Sequence, residues 1–480
     1  MSRCTVGAAW VLGVAVAVAT TQVALAQSDG HPDRPVPGPT PSLHFPRAVT
    51  RRLPNGVRVV VLEDHGLPIV SVSAVLTLPD AFDPPGKEGV GGIAGAMLGE
   101  GTTSRSADQI AEEKAALGSG VSALGFMTVT ANVDRSLDLM ADELLHPAFP
   151  ESALDRIKAN SIAGLQRAST SAGYVAGRVF ATAVYGATHP YARTATEASL
   201  SSITRADVMA YHAAYYRPRN ATFVVAGDIT PDSAVAKLGR AFAGWTGGGE
   251  PGQRSIAAPT GRGVTRIYLY DRPGSPQSTI LIGGIGPRRD TPDYYALELM
   301  NATLGGTFNS RLNLDLREAH GWTYGARSGF QFRVVPEVGT FTASTDVAAA
   351  KTDSSLAAMM GDLNALRTTR PVTDSELAFA RRAETLSLPL SLATVQQIAG
   401  ATAGLIQQHL PLDYYDHVVE RFSGVTTADT RRAATQDLDP AHLVIVVVGD
   451  RATIERGLRA ANLAPVVVVD AQGRPVVAAQ

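Results

Sequence analysis

Cysteine is all but missing from this chain. Cys4 is the only one among 480 residues, and it lies within the first few positions. If that segment is removed, nothing remains to form a disulfide or a cysteine metal site. Aromatic residues make up 6% and the formal net charge is −2, so there is no basic stripe of the kind that phosphate neutralisation on nucleic acid requires. Histidine is sparse as well. Ten are scattered from His31 to His442, no two spaced four apart on a plausible helix, and none pairs with a glutamate in a metal-ligand pattern. Long apolar runs are missing too, apart from one of about a dozen residues near Ala8–Ala19, short of the ~20 that a membrane-spanning helix needs. No Ser-His-Asp arrangement or nucleophile elbow is present.

The N-terminus supplies the first positive signal. Arg3, the short apolar run and Ala24-Leu25-Ala26 have the order of a secretory signal, with Gln27 as the expected new start. An uncleaved anchor is the competing reading. Residues 1–26 are therefore expected to be removed and the protein exported, into the periplasm if the source is a bacterium with an outer membrane. Prolines recur from Pro32 to Pro46, which predicts an extended leader over 27–47.

The rest of the chain exceeds what one hydrophobic core usually serves. It reads as a duplication. Val57–Leu62 and Ile69–Leu76 are strand-like, and the same order returns at Thr265–Leu269 and Ser278–Ile282, a little over 200 residues later. Each half closes alike, with an apolar run ending in Gly-Asp at Gly227-Asp228 and Gly449-Asp450. Expected bounds are 48–246 for the first half, a glycine-rich linker over 247–262, 263–465 for the second half, and a tail over 466–480. Ser106-Ala107-Asp108-Gln109 has the form of a capping box opening a helix to Leu117, where Gly118 stops it. A strand over Met127–Val133 and helices near Ser136–Leu145 and Glu151–Arg167 follow. This mixture predicts an α+β fold whose two halves are each a sheet with helices packed on one face.

Gly89–Gly101 carries the most information. Val90, Ile93, Ala94, Met97 and Leu98 fall on one helical face, while Gly92, Gly95, Ala96 and Gly99 leave the neighbouring face bare. Each interior glycine costs about 1 kcal/mol of helix stability, so packing rather than propensity must hold the helix. The stretch also satisfies G-x-G-x-x-A, but that dinucleotide fingerprint needs a strand immediately upstream. Here the upstream segment is a loop with Pro84-Pro85, which excludes it.

From Leu53-Pro54-Asn55-Gly56 to about Ala460 the chain resembles the insulinase-type (M16-like) metallopeptidases. In that family the corresponding helix bears H-x-x-E-H, two histidines one turn apart to hold zinc and a glutamate to activate water. Laid on this helix, the histidines fall at Gly92 and Ala96 and the glutamate at Gly95. The third ligand, a later glutamate, falls at about Gly164. None of these side chains can bind a metal. The second half keeps what resembles the family's other signature: Leu304-Gly305-Gly306-Thr307-Phe308, then Leu316-Arg317, then Gly321-Trp322-Thr323-Tyr324. The resemblance implies that Arg317 holds a substrate carbonyl or carboxylate and that the Tyr324 hydroxyl stabilises an oxyanion. A plain reading makes Arg317 a surface ion pair and packs Tyr324 on the sheet. His189-Pro190-Tyr191 and Tyr215-Tyr216-Arg217-Pro218 also match recurring family segments.

The resemblance thus implies a clam-like, catalytically incomplete subunit without zinc or peptidase activity of its own. Its expected partners are a zinc-bearing sister subunit and a peptide or unfolded polypeptide. The alternative is a non-catalytic binding or scaffold protein of the cell envelope.

Overall fold

The computed structural model describes residues 45–76, 83–247, 256, 258, 259, 263–334 and 337–476. The expected signal segment, all of the leader but its last three residues and most of the linker lie outside them.

The first half begins with β1 (Ala48–Arg52) and β2 (Arg58–Glu63), joined by a hairpin at Asn55-Gly56. Gly56 takes φ 91°, and the Asn55 amide donates to the carbonyls of Phe242 and Trp245, tying the turn to the far end of the half. Then come β3 (Ile69–Leu76), α1 (Val90–Met97), α2 (Ala107–Leu117), β4 (Gly125–Val129), α3 (Val133–Leu145), α4 (Glu151–Ser169) and α5 (Ala172–Tyr185). The half closes with α6 (Glu197–Ser202), α7 (Arg205–Tyr215), β5 (Ala221–Gly227) and α8 (Pro231–Ala241). The capping box at Ser106/Gln109 forms as expected, and Gly118 ends α2 in the left-handed region. One strand is shorter than expected. Chain pairing stops at Val129, a helical turn spans Thr130–Asn132, and Val133 already starts α3. The Thr130 hydroxyl donates to Asp228 at 2.7 Å, which bends the chain out of the sheet there.

The second half follows a similar order with one more strand: β6 (Arg266–Asp271), β7 (Gln277–Ile285), α9 (Tyr294–Asn301), β8 (Thr323–Gln331), β9 (Thr340–Ala348), α10 (Thr352–Arg367), α11 (Asp374–Ser391), α12 (Val395–Gln407), α13 (Tyr414–Gly424), α14 (Thr427–Asp437), β10 (Val444–Gly449), α15 (Arg451–Ala460) and β11 (Val466–Val469). The stretch expected as a tail from 466 thus begins with a strand, paired parallel to β6.

Sheet topology supports the duplication. The sheets run β1-β2-β5-β3-β4 and β11-β6-β10-β7-β9-β8. In each, the closing strand inserts between two consecutive earlier strands, β5 between β2 and β3 and β10 between β6 and β7, parallel to the first and antiparallel to the second. The shared Gly-Asp ending has a steric cause. A Cβ at Gly227 would lie 2.1 Å from the Ile69 carbonyl oxygen, and one at Gly449 2.4 Å from Ser278 Oγ.

Each sheet carries its own half's helices on one face, as expected. The opposite face is not left to solvent. Val60, Leu62, Val224 and Ala226 alternate with Val59, Val61, Phe223 and Val225, and they pack against Val395, Ile398 and Ala399 of α12, a helix of the second half. Reciprocally, Val446 and Val448 pack against Val175, Ala176, Val179 and Phe180 of α5, a helix of the first half. Strands buried on both faces need unbroken apolar runs rather than alternation, which is why Val59–Leu62 and Val444–Val448 read as they do. At about 1.5–3 kcal/mol per fully buried aliphatic side chain, the two exchanged helices hold the halves together.

Candidate functional site

Helix α1 is built as its apolar stripe requires: Val90, Ile93, Ala94 and Met97 are buried. Its N-terminus is fixed by Asp83, whose carboxylate accepts from Gly89 N at 2.6 Å and Gly91 N at 3.0 Å. A carboxylate therefore occupies the place where a pyrophosphate would sit, in accord with the rejection of a dinucleotide site. Gly92 and Ala96 are exposed and Gly95 is half-buried. A Cβ at Gly92 would meet nothing within 4 Å, and one at Gly95 only the Tyr216 hydroxyl at 3.6 Å. Gly164 lies on α4, half-buried, in a helix that packs against α1. The metal-motif positions thus lie on adjoining helices with room for side chains that are not there. Among the described residues, no group of three or more His, Cys, Asp or Glu converges as a metal site.

The second half presents the opposite situation. After α9 the chain makes a wide helical turn over Ala302–Gly306, a short helical turn at Arg311–Asn313, and a further wide turn over Leu314–Ala319. Two buried asparagines fasten this segment to the outer edge of β8. Asn313 exchanges two hydrogen bonds with the Ala326 backbone, at 2.8 and 2.9 Å. Asn301 donates to Ser328 O at 3.2 Å and accepts from the Ser328 hydroxyl at 2.6 Å. The approach is close: a Cβ at Gly305 would lie 2.6 Å from Ser328 N. These asparagines are part of the site's scaffold and were not singled out from sequence, although a polar residue within the apolar run before Gly305 is a usable signal.

Tyr324 sits where β8 and β9 lose register. Thr323 pairs with Val347 and Ala326 with Thr345, so Tyr324 and Gly325 together face Asp346 alone. Such a bulge turns a side chain out of the ordinary alternation. Hydroxyls hold it: Thr323 Oγ1 accepts from Gly325 N at 3.0 Å, donates to Asp346 O at 2.7 Å and accepts from Thr345 at 2.9 Å. Tyr324 is 92% exposed, so it does not pack on the sheet. With Phe308, Arg327, Asp346 and Gly173 of α5 it lines a cavity of about 520 Å³ at the junction of the two halves. Arg317 does not line that cavity. Its guanidinium lies 4.4 Å from the Phe308 ring centre and pairs with Glu318 at 2.9 Å, so it reaches the Tyr324 neighbourhood through Phe308.

The remaining segments singled out from sequence have structural roles. Tyr191 donates to Glu337 of the second half, and Arg333 lies 3.5 Å from the centre of its ring. Tyr216 is buried beneath α1, and its carbonyl accepts from Trp245 Nε1. No helix among the described residues is long and apolar enough to cross a membrane.

Comparison with known proteins agrees with this geometry. Residues 202–384 match the model of the peptidase M16 inactive domain. An uncharacterized zinc protease of Bacillus subtilis is 25% identical over 287 residues, covering 57% of this chain and 68% of that protein. One of Mycobacterium leprae is 25% identical over 295 residues, 58% of this chain and 64% of its own. The match thus spans about two thirds of the length of these relatives. A crystal structure of a peptidase M16 inactive domain from Pseudomonas fluorescens superposes with a TM-score of 0.75 at 27% identity, covering 84% of this chain and 98% of that one. A protease from Helicobacter pylori gives 0.74 at 19% identity, covering 84% of this chain and 100% of that one, and shows the same fold. The chain thus resembles the M16 peptidases, in sequence over residues 202–384 and in fold over most of its length.

Proposed function

We propose that this chain is the zinc-free subunit of a two-chain M16-type peptidase that acts outside the cytoplasm on peptides or unfolded polypeptides. One contrast carries the reading: the metal-motif face of α1 is bare and open, while Tyr324 is aimed from a braced bulge into a cavity. Tyr324 is 92% exposed, while the bulge that carries it is held by three contacts of the Thr323 hydroxyl and by buried Asn313 on Ala326, so the tyrosine serves no packing purpose in this chain. Export rests on the Ala24-Leu25-Ala26 signal pattern; a fold neighbour at 16% identity, the periplasmic protease PqqL from Escherichia coli, covers 90% of this chain and 50% of its own.

In this reading the sister subunit brings zinc, which supplies an activated water and polarises the scissile carbonyl. This chain supplies the Tyr324 hydroxyl, which donates to the oxygen that becomes negative as the carbonyl is attacked. Arg317 supplies a positive charge for a substrate carbonyl or carboxylate. To do so it exchanges Glu318 for substrate, a small cost because an exposed ion pair is worth roughly 0–1 kcal/mol. Gly173 and Phe308 wall the cavity that receives the chain.

The test is complementation. The mature chain, an M16-type sister with an intact H-x-x-E-H helix, and their mixture are each assayed for peptide hydrolysis and for zinc. Turnover in the mixture far above either chain alone, with zinc bound only by the sister, is the expected result. A sister equally active by itself would leave this chain a scaffold or binding protein.

A further inference from the structure

A second cavity, of about 640 Å³, opens in the second half between the start of α9 and helices α13 and α14, lined by residues other than those around Tyr324. Its charges are unevenly matched. The acids on its wall are engaged: Asp293 and Asp429 both hold Arg432, at 2.6 and 2.7 Å, and Asp290 pairs with Arg288 at 3.1 Å. Two arginines have no carboxylate within 4 Å among the described residues, although Glu298 lies within electrostatic reach of Arg289 and Asp413 within that of Arg421. Arg289 is only 8% exposed, yet its contacts are all neutral: Gln408 Oε1 at 3.0 Å, the Tyr414 hydroxyl at 3.3 Å, and the Tyr294 ring 3.5 Å beneath it. Arg421 donates to the Tyr295 hydroxyl at 3.3 Å.

Burying a guanidinium without a counter-ion costs several kcal/mol that neutral acceptors and a ring face recover only in part. A tyrosine oxygen that accepts from an arginine keeps its own proton, and the Tyr414 hydroxyl is hydrogen-bonded with its neighbours Tyr294 and Tyr295. Burial pushes the Tyr414 hydroxyl well above its ordinary pKa, so that proton stays on across the physiological range. The cavity therefore offers two cationic forks beside two tyrosine hydroxyls, while each acid on its wall is held by an arginine, Asp293 and Asp429 sharing one.

We propose that this cavity binds an oxyanion, a phosphate or a carboxylate group, between Arg289 and Arg421 and beside the Tyr295 and Tyr414 hydroxyls. The planar forks of the two arginines suit two oxygens of one such group. The four residues come from positions 289, 295, 414 and 421, and only the fold brings them together. The site is independent of the Tyr324 cavity and of the peptidase reading.

Isothermal titration of the mature chain with inorganic phosphate, and with one short peptide in free-acid and C-terminally amidated forms, tests it. Saturable one-to-one binding of phosphate or of the free-acid peptide is expected, weakened by salt. Phosphate alone identifies a phosphate ligand; the free-acid peptide alone, with its amide silent, identifies a chain-terminal carboxylate. Arg421→Gln, at an exposed position that folding tolerates, lowers affinity about tenfold or more, the scale of one charge-assisted hydrogen bond. Arg289→Gln abolishes binding if it folds. Silence from all probes up to about 10 mM, or full affinity in a normally melting Arg421→Gln protein, overturns the proposal.

Discussion

The first helix of each half has been put to opposite uses. In the first half, α1 has a buried stripe and presents only Gly92, Gly95 and Ala96 on its open face. In the second half, α9 carries Tyr294, Tyr295, Glu298 and Asn301, and it leads into the turn that braces Tyr324. A duplicated scaffold can therefore shed a site without shedding its packing. The stripe of Val90, Ile93, Ala94 and Met97 and the row of Gly92, Gly95 and Ala96 lie on different faces of one helix, so either can change alone.

Removing a brace from the second half is expected to cost most. Asn313→Ala leaves the buried N–H and C=O of Ala326 without partners, and about 2–4 kcal/mol of stability should be lost in chemical denaturation. A loss below about 0.5 kcal/mol would mean that water or a shifted strand replaces the asparagine, and that the bulge is not held as described.

Ionisation separates the halves next. Burial raises the Glu298 carboxyl to about 7, with Glu384 adding to the rise. A folded-state pKa above the unfolded value gives stability that is complete below about pH 4.3 and lost as pH rises toward 7. Glu298→Gln should therefore be neutral near pH 4 and stabilising by roughly 1–3 kcal/mol at pH 8. A difference between the two proteins that does not change with pH would show that the carboxyl titrates normally.

The smallest effect belongs to the bare face. Gly92→Ala has open space and a helical backbone, and it should stabilise by about 0.5–1 kcal/mol. Gly91→Ala should do the reverse, because its Cβ would lie 2.6 Å from the Tyr211 hydroxyl. Equal effects at both positions would remove the distinction between a face that packs and a face left open.

Much of this was readable from the chain. The central strands β2, β3, β5, β6, β7 and β10, the duplicated order, the capping box at Ser106 and the bare face of α1 follow from local periodicity and spacing, whereas β1, β9 and β11 do not. What was not legible depends on partners distant in sequence. An amphipathic pattern shows that α5 and α12 bury a stripe but not that each buries it on the other half's sheet. The end of β4 is set by Thr130 reaching Asp228, nearly a hundred residues away. Tyr324 was singled out by a spaced motif, whereas its aim depends on a register slip that spacing does not encode. Arg317 was read as its companion; the fold places Phe308 between them and gives Arg317 to Glu318.

The most direct test of the central claim is the turnover of the reconstituted pair with Tyr324→Phe in this chain, assembly being checked by size-exclusion chromatography. If the hydroxyl stabilises the oxyanion on a partner's zinc site, kcat falls about 10²-fold or more, KM changes little, and the complex elutes unchanged. Undiminished kcat in an intact complex, with Arg317→Ala also silent, would contradict the account.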